Sequence, residues 1–128
     1  MGQNRTSGAA ANAYGRETAP KIAAALGAVM RGTESNEAVI DGKPIVIKIA
    51  GKNTTSVGVT YSMLDNIETV YAAFQHKTGP YEVFALPASV FLENARDSRS
   101  GGGDSRVGLV SRKVFEALGK KVKVVRNI

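Results

Sequence analysis

The chain has 128 residues, no cysteine, no tryptophan, a single histidine and a formal net charge of +6. That length suits one domain with a sizeable core, and the composition excludes a disulfide framework, a cysteine-based metal site and a multi-histidine zinc site. Nothing approaches the roughly 18 consecutive apolar residues of a membrane helix, and the opening MGQNRTSGAAANAYG lacks the apolar stretch of a secretory signal, so a soluble cytoplasmic protein with no membrane partner is expected.

Residues 1–17 are small and polar without periodicity and read as an arm, leaving 18–128 as a single domain. The spacing of Ile22, Leu26, Val29 and Met30 predicts a helix over 18–31, with Thr18 as its cap, Pro20 in its first turn and Gly32 as its stop. Residues 37–50 read as a hairpin turning at Asp41-Gly42, with Ile45, Ile47 and Ile49 on the core face and Val46, Lys48 and Ala50 on the other. A strand follows at 55–60. Residues 62–75 show the strongest helical stripe, Leu64, Ile67, Val70, Tyr71 and Phe74, with Ser62 as cap. Then come a strand at 81–86, a short helix after Pro87, a glycine-rich loop at 97–106, a short helix after Ser111 ended by Gly119, and a strand at 120–125 with lysines suited to a sheet edge. The fold class expected is α/β (α+β): a mixed sheet with helices packed on it and an αβββαβ core order.

The charge is uneven. Residues 1–34 carry a net +2 and residues 35–95 a net −2, so the excess lies in 96–128, where nine basic residues face three acidic ones. Such a segment is the electrostatic footprint of a phosphate-backbone binder. Arg96, Arg99 and Arg106 flank the glycine-rich loop, and Arg112, Lys113, Lys120 and Lys121 extend the same basic stretch. Lys52, in the hydroxyl-rich run GKNTTSVGVT, is a further candidate for phosphate contact, although the run does not match a nucleotide-binding P-loop. The alternative for all of these is a solvated basic surface.

Within the hairpin, a two- or four-residue turn puts Glu37 on the same face as Lys48, diagonally or directly opposite, whereas a three-residue turn separates them. A carboxylate beside a lysine can hold a hard divalent cation and assist an attacking water; it can equally be a plain cross-strand ion pair. The αβββαβ order, with an acidic residue opening the hairpin and a lysine in its second strand, resembles the PD-(D/E)XK nuclease superfamily of restriction endonucleases and small Holliday-junction resolvases. Asn36-Glu37 stands at the PD position, Val46-Ile47-Lys48 at the (D/E)-X-K position, and Glu17 for the acidic residue often found in the first helix. The resemblance covers roughly residues 17–86 and implies a Mg²⁺-dependent DNA endonuclease or junction resolvase acting as a homodimer, with Glu37 and Glu17 as metal ligands and Lys48 assisting the water.

The departure is Val46, which occupies the place of the second metal-binding carboxylate and cannot ligate through its side chain. Either that carboxylate has moved, with Glu17 and Asp65 as candidates, or the metal site is degenerate, or the likeness is topological. Two other readings therefore stand beside the nuclease: a catalytically degenerate DNA-binding or protein-interaction domain, and an oligomer built by edge pairing of 120–125.

Overall fold

The computed structural model describes residues 15, 17–32, 36–98 and 106–126. The loop residue Arg99 and most of the 1–17 arm lie outside the described residues. In chain order the elements are helix α1 (17–26), β1 (Val29–Met30), β2 (Glu37–Ile40), β3 (Lys43–Ala50), β4 (Ser56–Thr60), α2 (Tyr61–Leu64), β5 (Thr69–Gln75), β6 (Tyr81–Pro87), α3 (Ala88–Asn94), β7 (Arg96–Asp97), β8 (Val107–Ser111), α4 (Arg112–Leu118) and β9 (Lys120–Val125). This is an α+β fold with a mixed main sheet ordered β1-β2-β3-β5-β6-β9 and a smaller sheet ordered β4-β8-β7.

Two turns follow directly from local chemistry. Asp41 and Gly42 both hold positive φ, 51° and 76°, and Ile40 pairs with Lys43, so the hairpin is a two-residue type I′ turn whose twist suits the flanking strands. Gly27, at φ 76°, ends α1 in a Schellman arrangement: Ala28 N–H donates to the Ala23 carbonyl at 2.9 Å and Gly27 N–H to that of Ala24 at 3.3 Å. The first helix thus stops at Gly27 and not at Gly32. Val29 and Met30, expected on its apolar face, form β1 and pair with Val39 and Ala38. Thr18 lies buried within the helix and is not its cap.

The largest departure from expectation lies at 62–75. One helical turn, α2, forms there, capped by Thr60 instead of Ser62, the Thr60 Oγ1 accepting from Met63 N–H at 3.2 Å. Residues 69–75 are strand, not helix. Val70, Ala72 and Phe74 face one apolar cluster and Tyr71 and Ala73 the other, so the strand is apolar on both faces and lacks the alternation that would have marked it. β5 pairs in parallel with β3 and antiparallel with β6. β4, the third strand of the expected αβββαβ order, stands outside the main sheet and pairs with β8.

The result is three layers. On one face α1 packs Ala19, Ile22 and Ala23 over Ala38, Ile45, Ile47, Ala73 and Val83. On the other face the small sheet and α2–α4 bury Val46, Ala50, Val70, Phe74 and Leu86. All four phenylalanines join this second core, in edge-to-face contacts of 6.2 Å (Phe74–Phe84), 5.5 Å (Phe74–Phe115) and 6.1 Å (Phe91–Phe115) between centroids. β9 is the far edge of the main sheet, with a bulge at Val122, because Val83 pairs with Lys123 and Phe84 with Lys121. Lysines and a bulge both discourage edge-to-edge pairing.

Phe115 is fully buried at the junction of three rings, whereas Leu118 on the same helix is exposed. Phe115→Ala should cost about 3–5 kcal/mol in urea unfolding, and Leu118→Ala less than about 0.5 kcal/mol.

Candidate functional site

The hairpin register fixes the first candidate. Glu37 stands directly opposite Val46, and with the two-residue turn Lys48 is diagonal to it on the same face. That face is not open: Val46 is 2% exposed and packs in the phenylalanine core. Glu37 is half-buried and lies 3.9 Å from Arg31 Nη1. Lys48 is half-buried between Val46 and Ala50 on one face of β3 and beside Ala72 of β5. It makes no ion pair among the described residues. Burial holds its ammonium below the ordinary lysine value of 10.5.

Glu17 does not join this pair. It is exposed on α1, the helix that covers the opposite face of the sheet, where Ala38, Ile45 and Ile47 point. Asp65 is exposed at the C-cap of α2. Among the described residues no three acidic or histidine side chains are grouped to hold a metal ion. A hard divalent cation bound by protein carboxylates needs converging oxygens; Glu37 opposite a buried valine does not supply them, so the residues present do not fit a two-carboxylate Mg²⁺ site.

The second candidate is the basic C-terminal region, and here ion pairing divides the expected residues. Arg112, at the start of α4, donates through Nη2 to Glu82 Oε1 at 2.5 Å and through Nε to Glu116 Oε2 at 3.2 Å, with its guanidinium 5.7 Å from the Phe74 ring centroid. Lys121 Nζ lies 3.3 Å from Glu82 Oε2. Arg106 donates to Asp97, which also accepts from the Tyr61 hydroxyl, and the guanidinium lies over the Tyr61 ring at 5.4 Å. These three cations are occupied within the fold. Lys52, Arg96, Lys113, Lys120, Lys123 and Arg126 are exposed and carry no ion pair among the described residues. Lys120 and Lys123 register with Ala85 and Val83 on the α1 side of the sheet, and Lys121 with Phe84 on the other. From β3 to β9 is three strand spacings, about 14 Å, so the hairpin pair and the basic edge are separate places on the molecule.

The partners Glu82, Asp97 and Tyr61 were not legible as such in the sequence. They stand 30, 9 and 36 residues from Arg112, Arg106 and Asp97 respectively, and only the sheet register joins them. Arg112–Glu116 is the exception, an i,i+4 pair readable on one helix. No family model, no curated protein and no solved structure matches the chain.

Several titrations check this arrangement. The hydrogen bond to Asp97 is the first cause raising the Tyr61 phenol above its ordinary value of 10.0, and burial raises that of Tyr71. In ultraviolet titration both phenols should ionise late, and Asp97→Asn should bring Tyr61 back towards 10.0. For Lys48 the folded value lies below the unfolded one, so the unfolded chain binds more protons between the two values. Its contribution therefore disfavours folding at neutral pH, and that penalty fades as pH rises towards 10.5. Lys48→Met should stabilise the protein at pH 7 by on the order of 1 kcal/mol and flatten the alkaline rise seen by urea unfolding. Glu82→Gln, which leaves half-buried Arg112 with Glu116 as its one charged partner among the described residues, should cost about 1–3 kcal/mol.

Proposed function

We propose that the protein binds nucleic acid, with DNA as the expected polymer, through the phosphate backbone and without metal-dependent cleavage. The observation that carries the reading is that, of the nine exposed cations that no carboxylate neutralises among the described residues, five, Arg96, Lys113, Lys120, Lys123 and Arg126, fall in the last quarter of the chain, with Lys52 as a sixth candidate contact. Exposed unpaired lysines and arginines attract a polyanion by releasing its condensed counterions. Two further points support it. The net charge is +6, and among the described residues none of the large hydrophobic side chains that stand exposed is aromatic, so the chemistry they offer is phosphate contact and not base stacking.

The degenerate form of the nuclease-like reading is preferred because Val46 is buried opposite Glu37. A carboxylate introduced there would lie in the phenylalanine core. One feature favours the catalytic alternative: Lys48 is kept half-buried, at a cost in desolvation, on the face that Glu37 shares.

Fluorescence anisotropy with a labelled duplex and a four-way junction across a salt series, with Mg²⁺ or EDTA and with products run on a gel, tests both. The expected result is binding that falls steeply with salt, is indifferent to EDTA and leaves the DNA intact. Absence of binding at low salt would remove nucleic acid as the ligand. Mg²⁺-dependent cleavage lost in Lys48→Ala would establish the endonuclease or resolvase instead.

A further inference from the structure

Two segments far apart in sequence meet where β3 ends. The chain leaves Ala50 and turns at once, Thr54 N–H donating to the Gly51 carbonyl at 3.0 Å, which sets Lys52 and Asn53 at the tip of the turn. From the other side β8 runs into α4. Ser111 registers with Ser56, and Arg112 N–H donates to the Thr55 carbonyl at 2.7 Å. The turn and the start of α4 therefore adjoin through the backbone, with Lys52, Thr54, Thr55 and Lys113 exposed on them and Ser111 half-buried between.

The chemistry of that surface is one-sided. Neither 49–60 nor 105–115 contains an acidic residue. The two carboxylates bound to Arg112, Glu82 and Glu116, are already matched by it and, for Glu82, by Lys121. The side chains of Lys52, Thr54, Thr55, Ser111 and Lys113 make no hydrogen bond or ion pair among the described residues, and Ser111 does not cap α4. Two free ammonium groups interspersed with free hydroxyls are the groups that position a protein on a phosphate backbone.

The Arg112–Glu82 bond gives the surface a rigid base. Glu82 registers with Phe74, and Phe74 with Ala50, so the anchor lies on the same level of the sheet as the end of β3. Arg112 is spent on holding α4 there, and Lys113, the next residue, is left exposed. By contrast Lys120 and Lys123 stand on the bulged edge strand and bring no hydroxyl neighbours with them in sequence.

We infer that the turn at 51–55 and the start of α4 together form the principal phosphate-contact surface, with Lys52 and Lys113 as its two cations. This rests on the nucleic-acid reading above, makes the β9 edge a subsidiary contact and leaves the Glu37–Lys48 hairpin out of the interface.

The test compares two double variants of equal charge, Lys52→Ala/Lys113→Ala and Lys120→Ala/Lys123→Ala, in the full chain against a labelled 20-base-pair duplex across a salt series. All four positions are exposed, and unchanged thermal unfolding confirms the fold. The first double variant should weaken binding roughly tenfold at low salt and reduce the slope of log affinity against log salt by about 1.8. The second, which removes subsidiary contacts, should weaken binding by a clearly smaller factor, about threefold. Equal losses, or a larger loss in the second, would overturn the inference while leaving nucleic-acid binding standing. A wild-type chain that fails to bind at low salt would overturn both.

Discussion

The parallel pairing of β3 with β5 is the constraint on which the rest of the molecule depends. Parallel neighbours cannot be joined by a tight turn and need a crossover. Here the crossover is the segment 51–68, which carries β4 and α2 over one face of the main sheet. That face is thereby covered by a second sheet and three short helices, while α1 covers the other. Both central strands are covered on both sides, Val46 is sealed in beside the half-buried Lys48, and the turn at 51–55 is carried across to meet the start of α4.

The same constraint decides the chemistry available at the hairpin. Metal-assisted hydrolysis at a hairpin needs carboxylate oxygens converging on the face of the lysine. Here the face is closed over a hydrocarbon side chain, and the lysine that remains is held in a partly desolvated place. A carboxylate at position 46 would need a partner to offset its burial, and the adjoining core supplies valine, alanine and phenylalanine. The acidic group on that face is Glu37, which lies towards Arg31.

The basic segment is a lesson in charge distribution. Counting residues makes the last quarter of the chain uniformly cationic, yet the fold uses Arg106, Arg112 and Lys121 to fasten its own layers and leaves others unspent. Arg112 ties α4 to β6, and Arg106 ties the start of β8 to β7 and α2. Exposed pairs of this kind contribute little each; the half-buried Arg112–Glu82 contact, with a phenylalanine face beneath the guanidinium, contributes more.

The sequence by itself determined those elements whose signals are local. The Asp41-Gly42 turn and its flanking strands, α3 after Pro87, α4 between Ser111 and Gly119, and the lysine-bearing edge strand stand where local turn, breaker and alternation signals put them, although the Ser111 side chain, expected to cap α4, makes no cap hydrogen bond. Tertiary structure alone decided the rest. Residues 69–75 carry a helical stripe because a strand buried on both faces has no period of two, and only pairing with β3 and β6 makes it a strand. Val29 and Met30 suit either state until Gly27 takes a left-handed conformation and sends them to β2. Which cations are spent and which are free depends on carboxylates brought from other strands, and that information resides in the sheet register, which no local pattern encodes.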